Sequence, residues 1–440
     1  MRACCVSRGG FIAGTGALLL AGASRAGEAP VFRMGLFSDT HVNDDPQSCE
    51  RVRLALETFR REKVDAIAHL GDLANYHLPK AFRNYRNTVD AVFPASSGRP
   101  RFLYAWGNHD SIDYARRDNP KDRQMDRHAA FAVMKDILGI DHGLDFEAEI
   151  NGYTFLCVPQ TITDACSLQE FDRRIAEACK KNPGKPVFVL HHPPPYGTCD
   201  NSLRNVTKAT YQIFCRYPQL VVLSGHKHTS VMNERSIWQG AFTVVQTSCL
   251  YNWIPNWDAV EQGAKVQVRS GWGVMVMDVY RDRLEFRRFD IRLHEEYNPA
   301  GRWCVPLPYS PASAPYAAAR RKAEEKAGVF AAKAKVEVNP DKRFKWLTIR
   351  IPTVENVSDV RSYRVLAERK TDDGMEEVLR ENAIGDFDEM PSARKGHVDM
   401  RIEAKPFTPG ETYRFTVTPE GFFGRQGASL SCEWRANVVN

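Results

Sequence analysis

Five short segments carry side chains able to do chemistry together: Asp39-Thr40-His41, Gly71-Asp72, Gly107-Asn108-His109-Asp110, His191-His192-Pro193-Pro194 and Gly225-His226-Lys227-His228. They supply carboxylate, imidazole and amide donors and no thiolate. That set suits Zn, Mn, Fe or Co better than Ca or a soft metal. Alternate residues of an extended segment share a face, so Asp-x-His and His-x-His each turn two donors to one side. Gly71, Gly107 and Gly225 allow tight turns or a close backbone approach beside a metal. Asp39, His41, Asp72, Asn108, His191, His226 and His228 are too many donors for one tetrahedral ion. Two ions sharing a bridging carboxylate, about 3.5–4 Å apart as in known dinuclear centres, would use them all.

Each segment follows an apolar run. Val31–Phe37 precedes the first, Val64–Leu70 the second, Phe102–Trp106 the third, Pro186–Leu190 the fourth and Leu220–Leu223 the fifth. Helical patterns intervene, one with Leu54, Leu56 and Phe59, another with Phe82, Tyr85, Val89 and Val92. Repeated strand–helix–strand units predict an α/β domain with a largely buried sheet. Ligand sites of such sheets assemble at the carboxyl edge, where all five segments fall. Leu144–Cys157 alternates around Asn151-Gly152, a hairpin signal. Phe242–Thr247, Val274–Val279 and Leu284–Phe289 add strands, so a mixed sheet sandwich flanked by helices is the simplest architecture.

The rest of the chain reads differently. Residues 298 to 315 hold five prolines and read as a linker, and Ala317–Lys335 as a connecting helix, giving a linker over 298–333 between domains at 31–297 and 334–440. Short alternating segments at 346–351, 363–367 and 413–417 then predict a small all-β sandwich. The run from Phe407 to Val417, with Pro409-Gly410 and Tyr413, resembles a fibronectin type III domain around its sixth strand.

Residues 1–26 read as a signal peptide: Arg2 and Arg8, then an uncharged run Phe11–Ala23 too short to span a bilayer, then small residues. The expectation is export to the periplasm or exterior by a Sec- or Tat-like route; no other stretch is apolar enough to cross a membrane. Of 11 cysteines, Cys4 and Cys5 leave with the leader; the remaining nine are odd in number and show no C-x-x-C pair, so at least one thiol stays free. A net charge of +6 without a basic run gives no reason to expect specific nucleic-acid binding. Oligomeric state is not readable.

Taken in order, D-x-H, GD, GNHD, HHPP and GH-x-H resemble the calcineurin-like metallophosphoesterase family over about residues 31 to 290. The resemblance implies an αββα sandwich and a dinuclear site. Asp39, His41 and His228 would bind one metal, Asn108, His191 and His226 the other, with Asp72 bridging. His191 is preferred to His192 because it sits directly at the strand end; His192 would make a structural hydrogen bond. His109 would serve the leaving group and Asp110 would orient it. Purple acid phosphatases carry D-x-G and GD-x-x-Y, whereas this chain has His41 and Asn75 at those places. It therefore looks closer to the cyclic-nucleotide and glycerophosphodiester phosphodiesterase branch. The implied function is hydrolysis of a phosphate ester, a diester favoured, by a metal-bridging hydroxide. Alternatives are a nucleotidase or other phosphomonoesterase, a sphingomyelinase-like lipid phosphodiesterase, or a binding protein with a vestigial metal site. The implied partners are two divalent or transition metal ions and a small-molecule or lipid ester.

Other residues fit no spacing pattern. His69, within an apolar strand, reads as a core histidine; His77, His128, His142, His294 and His397 read as structural or surface groups. Tyr251, Trp253 and Trp257 line either a leaving-group pocket or the core. Asn205-Val206-Thr207 and Asn356-Val357-Ser358 match glycosylation acceptors.

Overall fold

Two β-sheets packed face to face organise the N-terminal region of the computed structural model, which describes residues 28–119, 121–157, 165–200, 202, 208–254 and 268–436. The leader at 1–26, the 205–207 acceptor and Trp257 lie outside the described residues. The first sheet contains β1 (Phe32–Phe37), β2 (Ala66–His69) and β3 (Arg101–Tyr104), all parallel. The second holds β4 (Glu147–Ile150), β5 (Tyr153–Cys157), β6 (Val187–Leu190), β7 (Leu220–Ser224), β8 (Ile237–Gln239) and β9 (Thr243–Gln246), with β5, β6, β7 and β9 parallel. A short pair, β10 (Asn252–Trp253) and β11 (Arg269–Ser270), follows. The first sheet then continues antiparallel from β1 through β12 (Gly273–Val279) and β13 (Arg283–Asp290) to the edge strands β14 (Glu295–Glu296) and β15 (Trp303–Pro306).

Period-two alternation sorts the strands' side chains. Met34, Leu36, Phe188, Leu190, Val221 and Leu223 meet between the sheets. Phe37 and Ile67 face outward onto α1 (Pro46–Arg61), α2 (Pro79–Val92) and α3 (Arg127–Leu138). Val187 and Val189 face α4 (Ala165–Lys181) and α5 (Lys208–Phe214). The result is the expected αββα sandwich. Helix α1 starts where the sequence says it should: the Asp45 side chain accepts from Gln47 N at 2.9 Å, and Pro46 fills the first turn. The Asn151-Gly152 hairpin forms with both residues left-handed, φ 50° and 77°.

Two expectations are corrected. The stretch 298–315 is not all linker, because β15 pairs with β13 and Trp303 is buried in the core. Proline is tolerated there because β15 is an edge strand. The connecting helix shrinks to α6 (Ala318–Glu324). Glu325 leaves the helix with ψ 132°, and its carboxylate accepts from Phe423 N at 2.7 Å and Arg425 N at 2.8 Å.

The C-terminal unit is a sandwich of two antiparallel sheets. One has the order β16 (Glu337–Pro340), β17 (Trp346–Pro352), β20 (His397–Glu403). The other has β19 (Gly374–Ile384), β18 (Val360–Thr371), β21 (Thr412–Gly421), β22 (Leu430–Arg435). The Tyr413 hydroxyl accepts from Thr408 N at 2.7 Å, a tyrosine corner like that of immunoglobulin-type sandwiches. The unit is fibronectin type III-like. Cys49, Cys157, Cys179, Cys199, Cys215, Cys249, Cys304 and Cys432 are free thiols. Among the described residues no helix is long and apolar enough to cross a membrane.

Candidate metal centre

The carboxyl ends of β1, β2 and β3 face those of β6 and β7 across the sandwich, and the five loops meet there. The parallel ladders run on past the strands: Asp39 N donates to Gly71 O at 3.0 Å and His41 N to Asp72 O at 3.1 Å. The loop after β9 closes the gap, with Tyr251 N donating to Asp39 O at 3.1 Å. From β7, His226 N donates to Asp39 Oδ2 at 2.8 Å. A Cβ on Gly107 would overlap the Asp72 nitrogen and Oδ1, and one on Gly71 would overlap the His192 ring. The glycines are therefore required by close approach, as their spacing suggested.

Asp39, His41, Asp72, His226 and His228 all adopt left-handed backbone, with φ between 43° and 72°. Each such residue costs about 1–3 kcal/mol and persists only where the surroundings dictate it. The strain turns the side chains inward. Three groups of donor atoms converge, each within 4.8 Å: Asp39, His41 and His228; His41, Asp72 and His109; Asp72, His192 and His226. Asp72 belongs to two of them. His228 Nε2 lies 3.4 Å from Asp39 Oδ1 and 3.2 Å from His41 Nε2. His192 Nε2 lies 3.2 Å from Asp72 Oδ2 and 3.3 Å from His226 Nδ1.

Three of the clustered histidines have their other ring nitrogen engaged. His109 Nδ1 meets Asn75 O at 3.0 Å, His192 Nδ1 meets Leu70 O at 2.7 Å and His228 Nδ1 meets Asn252 Oδ1 at 2.7 Å. Each of these Nδ1 atoms donates its proton to an oxygen, so in the neutral form that binds a metal the Nε2 lone pair points inward. Asp39 Oδ1 is buried with no hydrogen-bond partner. Such an unpaired buried group is costly in a protein alone and suits a cation. The donor set therefore fits two metal ions.

The structure corrects the histidine choice. His191 Nδ1 meets Pro193 O at 2.6 Å, and its ring lies 6.0 Å from that of Phe214, under α5. Alternation explains this: His191 continues the helix-facing row of Val187 and Val189, while His192 continues the inner row of Phe188 and Leu190. Asp110 is also corrected. Its carboxylate does not touch the His109 ring; it accepts from Asp72 N and Gly107 N at 3.0 Å and from Ala74 N at 3.1 Å. It ties the second and third loops together. The His109 ring, 4.6 Å from that of His41, is oriented by the Asn75 carbonyl. Asn108 is half-buried at the start of the short turn His109–Ser111. Asn252 and Tyr251, whose ring is 5.3 Å from His41, adjoin the centre as well. His69 proves structural: its ring contacts Thr40 Oγ1 at 3.1 Å and accepts from Gly71 N at 3.3 Å.

Charge follows this geometry in the metal-free protein. Burial pushes His41 and His226 down to about 3. Burial opposes charge on His192 too, but Asp72 beside it raises that imidazole to about 9. Burial disfavours ionised Asp72 and Asp39, yet His192 holds the former, and His228 the latter, well below the usual carboxylate range.

Residues 32–230 match the model of the calcineurin-like phosphoesterase family. The protein is a metal-dependent phosphoric ester hydrolase. No curated protein matches the chain significantly. Among solved structures, the chain is similar to a dimetal phosphatase from Danio rerio at 15% identity, covering 64% of this chain and 100% of that one with a TM-score of 0.41. It is similar to a purple acid phosphatase from yellow lupin at 10% identity, covering 63% of this chain and 54% of that one, TM-score 0.43. A human fibronectin III domain, at 10% identity, covers 26% of this chain and 88% of its own length, TM-score 0.19.

Proposed function

We propose that the protein is an exported dinuclear-metal hydrolase that cleaves phosphate esters, phosphodiesters by preference. The observation that carries the dinuclear reading is the Asp72 carboxylate, shared by two clusters of inward-facing donors. Asp39, His41 and His228 would hold one ion, and Asn108, His192 and His226 the other. When bound, the two ions supply Lewis acidity towards the phosphoryl oxygens and an acidified water as nucleophile. The chain orients and excludes. Its buried loops fix the ligand geometry, and His109, its Nδ1–H on Asn75 O, presents Nε2 to take or give a proton at the leaving oxygen. Asp-x-His at residues 39–41 and the absence of tyrosine at position 75 support the diester preference. The pattern of residues 1–26 supports export.

The test is hydrolysis of bis-(p-nitrophenyl) phosphate and p-nitrophenyl phosphate by metal-stripped protein reloaded with Mn or Zn. The diester should be cleaved faster. Cleavage of neither, with less than one ion bound per chain, overturns the reading.

A further inference from the structure

The two-residue strand pairing that supplies Asn252 is poorly able to hold its own position. Strands β10 and β11 contribute two residues each, Asn252 opposite Ser270 and Trp253 opposite Arg269. A lone two-stranded ribbon is marginal in water even when longer, so its position depends on what packs against it. On one side it leans on the metal centre: Ile254 N donates to His228 O at 2.8 Å, and His228 Nδ1 meets Asn252 Oδ1 at 2.7 Å.

The other side is covered by the C-terminal sandwich. Trp253 is only 3% exposed and its ring lies 5.8 Å from that of Phe387, itself 1% exposed. Phe387 is backed in turn by Phe422 at 4.9 Å. Arg269 lies 5.4 Å over the Trp253 ring and donates to Asp388 Oδ1 at 2.7 Å and to Ile384 O at 3.3 Å. A continuous packed path thus runs from the sandwich through Phe387 and Trp253 to Asn252 and the His228 imidazole.

We propose that the C-terminal sandwich is a positioning part of the hydrolase: Phe387 and Asp388 hold the β10–β11 ribbon so that Asn252 fixes His228 as a metal ligand. This rests on the reading of His228 as a ligand. Partners that orient metal-bound histidines are worth about tenfold to hundredfold in metal affinity, so a distant domain can act on the site through one hydrogen bond.

The test is Co²⁺ titration of the metal-stripped full chain, followed by calorimetry and visible absorbance. Asn252→Ala and Phe387→Ala should each weaken one of the two ions about tenfold and leave the other unchanged. The double variant should be no weaker than the weaker single one. Phe387→Leu should recover most of the loss, and Asp388→Asn should show a smaller one. Arg361→Ala, which breaks a different inter-domain contact to Asp200, should leave both affinities unchanged. Parent-like affinity in folded Phe387→Ala, Phe387→Leu and Asp388→Asn overturns the proposal, as does an equal loss in Arg361→Ala. A parent that takes up two ions but cleaves no ester defeats the functional reading alone. A parent that cleaves esters while Phe387→Ala binds Co²⁺ normally defeats this proposal alone.

Discussion

The metal-binding edge and the C-terminal sandwich solve opposite problems with the same secondary structure. Of ten non-glycine residues with left-handed backbone among the described residues, five are Asp39, His41, Asp72, His226 and His228; within the described sandwich strands and their turns there is one, Phe344. The edge also buries carboxylates and imidazoles, whereas the sandwich core is Leu347, Ile349, Val365, Phe415 and similar apolar groups. Strain and buried charge at one edge cost stability that the surrounding sheets must supply. The sandwich carries less of both, with Phe344 left-handed and the Asp386 carboxylate buried, and among the described residues it reaches the site through the Phe387 corner. The difference teaches that chemistry here is concentrated in loops whose conformations are unfavourable until something positive binds.

The largest effect that would break this contrast belongs to Asp72. Asp72→Ala removes the carboxylate shared by two donor groups, so both ions should be lost and activity should fall to background, read by metal analysis and diester turnover. Retention of one tightly held ion would show that the two half-sites are independent. Next comes the histidine pair. His192→Ala should cut turnover by more than the roughly hundredfold that an outer partner costs, with loss of one ion, while His191→Ala should keep both ions and lose only stability. The reverse result would restore His191 as the ligand. His109→Ala should keep both ions and slow turnover about 10²-fold, the scale of a missing proton donor.

Much of this was legible in the sequence, for a physical reason. The five polar segments each followed an apolar run, and parallel strand ends within a sheet face one way, so their grouping at carboxyl edges needed no contact information; that three lie on one sheet and two on the other emerged only from the structure. The glycines were readable because nothing larger fits beside a ligand loop. What failed was parity. Val187-Phe188-Val189-Leu190 is apolar on both faces, so nothing in it said whether His191 or His192 would turn inward. Asn252 was invisible because it belongs to no strand-end motif and meets His228 only through tertiary structure. The prolines at 306 and 308 looked like a linker because an edge strand tolerates them as a linker does.

A smaller effect sharpens the comparison. Metal removal by chelation should speed amide exchange at the ends of β1, β2 and β7, where the left-handed ligands lose what stabilises them. The strands β18 and β21 should exchange as before. Equal acceleration in both units would mean that the sandwich shares the cost of the site.

The smallest effect separates the two ends of one strand. Strand β21 begins beside the tyrosine corner at Tyr413 and ends at Gly421, next to Phe422, which backs the Phe387 contact. Nine residues at about 3.3 Å each put these features roughly 30 Å apart. Tyr413→Phe leaves the ring packed on Phe407, 5.0 Å away, and removes only the hydroxyl that accepts from Thr408 N. The unpaired N–H should cost about 1–3 kcal/mol of unfolding free energy, measurable by denaturant titration. Metal affinity and turnover should not change, because the far end of the strand and its contact with Trp253 are untouched. If metal affinity falls together with stability, the sandwich communicates with the site as a whole body rather than through its one corner, and Phe387 loses its special place.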